Sequence, residues 1–94
     1  MAIYTIDRIE KKTVGTTATD LNVDYAAVFI ENLTADNILY FKEKSKDNAN
    51  ATANNSFALP GGQKMDFPVR AKTLSLIASA ASTDVRIMYV KEEC

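Results

Sequence analysis

The sequence predicts an all-β fold, a single small antiparallel β-sandwich of jelly-roll-like or Ig-like connectivity. Three observations carry this. Short apolar-rich segments recur at residues 26–31, 37–42, 64–69, 74–78 and 84–90. Clusters of turn residues separate them. Apolar and polar residues alternate within the later ones, the period of a strand with one buried face.

Residues 3–9 place Ile3, Thr5, Asp7 and Ile9 on one face and Tyr4, Ile6 and Arg8 on the other. This reads as an edge or two-sided strand, and a short helix over 7–12 is the alternative. The charges of Asp7, Arg8, Glu10, Lys11 and Lys12 discourage further pairing. The Thr-rich stretch 13–19 suits a second strand or an extended arm, because β-branched residues favour extended backbone. Residues 1–24 are therefore an N-terminal arm or added strands.

Residues 26–31 (Ala-Ala-Val-Phe-Ile-Glu) form the clearest strand. A turn over 32–37, rich in Asn and Asp, returns the chain into 37–42, so the two strands are expected to pair as a hairpin. Residues 43–56 are charged, then rich in Asn and Ala. A loop of that length is usually functional or mobile. Residues 57–59 form a short strand. Pro60-Gly61-Gly62 is a reverse turn, with Pro60 at the first central position and Gly61 supplying positive φ at the next.

In 64–69, Lys64, Asp66 and Pro68 oppose Met65, Phe67 and Val69, and Pro68 makes the segment an edge strand or ends it. Leu74, Leu76 and Ala78 alternate with Ser75 and Ile77. Residues 80–83 turn the chain. Val85, Ile87 and Tyr89 then alternate with Arg86, Met88 and Val90 in the last strand.

At 94 residues, 47% hydrophobic and 24% charged, the chain is one ordinary globular domain spanning 1–94. A domain of this size buries roughly 60–65% of its unfolded surface, so its core is modest. A net charge of −1 gives no general attraction to nucleic acid or anionic membranes. The sequence shows no signal peptide and no membrane span, and with Met1 retained the expected product is cytosolic and not secreted. Cys94 is the single cysteine and cannot close an intrachain disulfide.

Chemistry is sparse. The chain has no His, the usual general base and a common metal ligand. A Ser–Lys pair drawn from Ser75 or Ser79 with Lys64 or Lys72 is not selected by spacing. Asp24, Glu31, Asp36, Asp66 and Asp84 read as solvated carboxylates. Residues 47–50 lack the ligand pattern of a calcium loop. Gly61-Gly62 is too isolated for a phosphate loop. Sequons at Asn32, Asn50 and Asn54 would matter only in a secreted chain. Tyr40, Phe41, Phe67 and Tyr89 near Lys42, Lys64 and Arg86 could imitate a base-stacking sheet. Aromatics of small sandwiches are mostly core, however, and acidic residues outnumber basic ones. The expectation is no enzyme, no cofactor, no metal, no nucleic acid and no membrane.

Four strings carry a resemblance: Val28-Phe-Ile-Glu-Asn-Leu-Thr-Ala-Asp-Asn-Ile-Leu-Tyr40, Leu59-Pro-Gly-Gly-Gln-Lys-Met-Asp-Phe67, Leu74-Ser-Leu-Ile-Ala-Ser-Ala80 and Thr83-Asp-Val-Arg-Ile-Met-Tyr89. On these, roughly two thirds of the chain resembles small β-sandwich virion proteins of tailed bacteriophages, the head-decoration and tail-associated accessory proteins. The resemblance implies a structural role in the virion: a homo-oligomer, with a trimer favoured, that clasps a lattice of major capsid or tail protein. Ile3, Tyr4, Ile6, Tyr25 and Phe57 are the expected interface residues, as edge-strand groups and aromatic anchors. The alternative is a tail- or fibre-associated or carbohydrate-binding module, its site shaped by residues 43–56.

Overall fold

The computed structural model describes residues 3–66 and 68–93, with the side chains of 5–66 and 68–91. Expectations placed on Met1, Phe67 and Cys94, and on the side chains of Ile3 and Tyr4, lie outside the described residues. The strands are β1 (Ile3–Val14), β2 (Thr19–Asn22), β3 (Ala27–Asn32), β4 (Leu39–Glu43), β5 (Phe57–Leu59), β6 (Val69–Arg70), β7 (Thr73–Ala78) and β8 (Thr83–Glu93). No helix occurs among the described residues.

Two four-stranded antiparallel sheets result, ordered β1-β8-β3-β6 and β2-β7-β4-β5. Their logic is a nested ribbon. β1 pairs with β8, β2 with β7, β3 with β6 and β4 with β5, so the first half of the chain lies along the second. Rolling that ribbon brings β8 beside β3 and β7 beside β4, which completes both sheets. Of the two connectivities the sequence leaves open, this order is the jelly roll.

The alternation is as expected in β7 and β8. Val28, Ile30, Val85, Ile87 and Tyr89 of one sheet meet Leu21, Leu39, Phe41, Leu74, Leu76 and Ala78 of the other in one buried cluster. Each large side chain so buried contributes about 1.5–3 kcal/mol.

Four expectations are corrected. First, residues 26–31 and 37–42 do not form a hairpin. β3 lies in one sheet between β8 and β6, and β4 lies in the other between β7 and β5. The connection crosses the sandwich because Asn32 is fully buried at the corner. Its Nδ2 donates to the carbonyls of Asn37 (2.9 Å) and Leu59 (3.0 Å), and its Oδ1 accepts from the Thr34 N–H (3.0 Å).

Second, residues 64–69 are not a continuous strand. A single bridge joins Lys64 to Glu31, and pairing resumes only at β6, while Met65 is buried as its alternation requires. Third, the Pro-Gly turn is offset by one residue. The Gln63 N–H donates to the Pro60 carbonyl (3.2 Å), and Gly62 rather than Gly61 carries the positive φ of 78°. Fourth, the stretch 13–19 is divided: β1 runs on to Val14, the chain bends at Thr16-Thr17, and β2 begins at Thr19.

Residues 43–56 form the expected loop between β4 and β5, and part of it is held onto the sheet. The loop lies against the outer face of β4 and β7, where Lys42 and Ser75 stand opposite each other. Lys42 Nζ bonds Asp47 (2.7 Å) and the Ala49 carbonyl (3.0 Å), and Ala51 is buried with its N–H donating to Ser75 Oγ (2.8 Å). The Lys42 hydrogen bond, helped by the Ala49 N–H, holds Asp47 below the usual carboxylate range. That tether is complete above the ordinary value of 3.8 and is lost as pH falls through the depressed one. Ser75→Ala leaves the Ala51 N–H without its acceptor, at a cost of about 1–2 kcal/mol. Limited proteolysis followed by mass spectrometry is expected to show faster cleavage within 43–56 in Ser75→Ala than in the parent, with the sandwich intact in both.

Candidate interaction face

The first feature of the face is a fault in a ladder. β1 pairs with β8 through Ile6↔Val90, then through Arg8↔Tyr89 and Ile9↔Met88, so Asp7 is an extra residue in a β-bulge. Val90 and Met88 lie two apart on β8 and share a face, so Ile6 and Ile9 share it too. The expectation that they face opposite ways is corrected, because the bulge changes the parity of the strand. Tyr89 and Ile87 belong to the core, so Ile6 and Ile9 lie on the outer face of the β1-β8-β3-β6 sheet.

Cross-strand rows then build that surface. Ile6, Val90 and Ala27 form one row, with Val90 and Ala27 buried, and Ile9, Met88 and Phe29 the next, with Met88 and Phe29 half-buried. Lys11, Arg86 and Glu31 follow, with Arg86 paired to Glu31 at 3.4 Å. Asp84 comes last, accepting from Thr13 Oγ1 (2.7 Å) and lying 3.9 Å from Lys11. Ile6 and Ile9 are 58% and 55% exposed. Beside them a cleft of about 490 Å³ runs between Phe29 and Met88 on one side and Lys64 and Asp66 on the other. The face is an apolar strip with an ionic border.

The opposite side of β1 behaves differently. Arg8 and Glu10 project on the core side but at the sheet edge, beyond the cover of the second sheet, and both are exposed. The Arg8 guanidinium lies over the Tyr89 ring, 4.1 Å from its centre, a cation–π arrangement. Tyr89 reaches Glu10 Oε1 at 3.5 Å. Burial first, and then the Glu10 charge, push the Tyr89 hydroxyl above 10.0. A raised value in the fold favours the protonated phenol. Its contribution to stability is therefore complete below about 10.0 and is lost as pH rises through the folded value. Spectrophotometric titration is expected to find a late-ionising tyrosine that Tyr89→Phe abolishes and that Glu10→Gln moves downward.

The expected interface residues do not form one patch. Ile6 lies on the outer face at the β1 edge. Tyr25 is 59% exposed in a turn where Asp24 and Tyr25 both hold positive φ (48° and 65°), pinned by N–H bonds to the Lys72 and Ala71 carbonyls. Phe57 is 59% exposed on β5, at the opposite margin of the sandwich, with its ring 5.3 Å from that of Phe41. Ile3 and Tyr4 have their backbones in β1. Ile9, Phe29 and Met88 were not singled out by sequence reasoning. Their common face depends on the bulge, which no local signal in residues 3–9 marks.

The candidate chemical groups are spent locally. Ser75 is buried beneath Ala51, and Ser79 Oγ accepts from the Ile38 N–H (2.8 Å). Phe41 and Tyr89 belong to the core and cannot stack on a base. Among the described residues no cluster of acidic or sulfur ligands is placed to hold a metal. No protein-family model, curated protein or solved structure matches the chain.

Proposed function

We propose that the chain is a non-enzymatic structural protein of a phage virion, a capsid decoration or cement protein that self-associates and binds the lattice. The observation that carries this reading is the outer face of the β1-β8-β3-β6 sheet. There Ile6 and Ile9, each more than half exposed, and the half-buried Met88 and Phe29 border an ionic row of Lys11, Arg86 and Glu31. Apolar anchors inside a charged rim are the anatomy of a protein-binding surface. A lattice multiplies modest contacts, because linked copies engage identical sites at high effective concentration. The jelly roll adds a fold-level analogy, since capsid and lectin domains use it.

The test is composition. Particles would be purified from cells carrying this sequence and the chain quantified against the major capsid protein by mass spectrometry. A fixed stoichiometric ratio is expected, falling when Ile6 and Ile9 are both replaced by Asp. Absence from particles would overturn the proposal, and saturable glycan binding without particle association would transfer the reading to a carbohydrate-binding module.

A further inference from the structure

β1 ends its sheet, and no strand among the described residues pairs with its outer edge. It is also the longest strand, at twelve residues, so its free edge offers a long row of backbone donors and acceptors. Sequence reasoning treats the charges of this strand as a guard against pairing. Their order says something narrower.

We propose that a second copy of this chain docks on β1, antiparallel, about a twofold axis at Ile9. The order Asp7-Arg8-Ile9-Glu10-Lys11 is charge-complementary to its own reverse. With Ile9 facing Ile9 of the second copy, Arg8 stands opposite Glu10 and Glu10 opposite Arg8. Lys11 of each copy faces the bulged Asp7 of the other. Two antiparallel copies of one strand can shift only so that a residue again lies on the axis, since only then do outward backbone groups meet outward ones. Centring on Arg8 sets Arg8 against Arg8. Centring on Glu10 sets Glu10 against Glu10 and Lys12 against Arg8. The charges therefore oppose the neighbouring registers and favour one.

The fold prepares these groups. Arg8 rests on the Tyr89 ring, 4.1 Å from its centre, and Glu10 lies at the Tyr89 hydroxyl, so both are partly ordered before a partner arrives. The bulge sets Ile6 and Ile9 on one face, and the twofold places both copies of that face on the same side of one continuous sheet. The apolar strip is thereby doubled. This pairing does not rest on the virion reading, and it puts a twofold contact where the resemblance favours a trimer.

Sedimentation over a wide concentration range is the first measurement. The unmodified chain is expected to show a monomer–dimer equilibrium. Arg8→Glu is expected to weaken it by about tenfold or more, since two favourable cross-strand pairs become repulsive. Arg8→Glu combined with Glu10→Arg restores the complementarity and should restore the dimer. Circular dichroism checks that each variant folds. Independently, Ile9→Cys in a Cys94→Ser background should give a disulfide-linked dimer on oxidation, because directly opposed residues bring their Cα atoms within about 4.5–5.5 Å, inside the span of a disulfide. A monomer at every concentration, a trimer, failure of the double variant to recover, or absence of the Ile9→Cys cross-link would each overturn the proposal.

Discussion

Replacing Asn32 with Leu is expected to cost the domain about 4 kcal/mol, lowering its melting temperature by on the order of 20 °C. Asn32 is fully buried and serves three backbone groups: the carbonyls of Asn37 and Leu59 and the N–H of Thr34. Leu fills similar space and satisfies none of them. Each buried polar group left unpaired costs about 1–3 kcal/mol, against a total stability of about 5–15 kcal/mol. The loss falls on the corner where the chain leaves one sheet for the other, so partial relief by local movement would disturb β4. Asn32→Asp separates polarity from shape. It keeps the acceptor for Thr34 but turns a carboxylate toward two carbonyl oxygens, which raises its pKa and favours the protonated form. That variant should regain stability as pH falls through the raised value, whereas the Leu variant should not. Thermal melts of both across the acid range check this; a Leu variant within 1 kcal/mol of the parent would refute the account.

Gly61→Ala is the second large effect. A Cβ at Gly61 would overlap the carbonyl oxygens of Thr34 and Ala35, which are main-chain atoms with no rotamer to yield. The Pro60–Gln63 turn cannot back away freely, because the Gly62 N–H donates to the Asn32 carbonyl and the Asn32 N–H to that of Gln63, each at 2.9 Å. The expected loss is about 3 kcal/mol or more. The other two glycines grade the effect. Gly62 has open space but a φ of 78°, so Gly62→Ala should cost about 1 kcal/mol through left-handed strain. Gly15 has neither restriction, and Gly15→Ala should be neutral or stabilise by a few tenths of a kcal/mol. Urea titration of the three variants is expected to rank them 61, 62, 15.

Asn32 and Gly61 show how much the sequence conceals. Asn-rich and Gly-Pro segments are legible as turns, because these residues tolerate or bond their own backbone locally. That one such Asn is the buried brace between two turns, and that one such Gly is a contact point rather than a hinge, depends on residues about 27 positions apart meeting. The loop 43–56 carries the same lesson. Its composition marks a loop, but only the structure shows that Ala51 is an apolar plug and that Lys42, Asp47 and Ser75 turn the segment back onto the sheet. The site was less legible still. The sequence marks Ile6 as an edge-strand interface residue but places Ile9 on the other face, since strict alternation has no place for a bulged Asp7.

Local chemistry along the chain determined the all-β class, the approximate positions of β3, β4, β7 and β8, and the inward residues of β7 and β8. Each rests on side-chain period and backbone preference within a few residues. Tertiary structure alone decided that β3 and β4 part to opposite sheets, that the halves roll into a jelly roll, and that Ile6, Ile9, Met88 and Phe29 share one face. Pairing choice is a competition among distant segments for the same edge, and its outcome depends on the summed ladders and the shared core. No short window of sequence contains that sum.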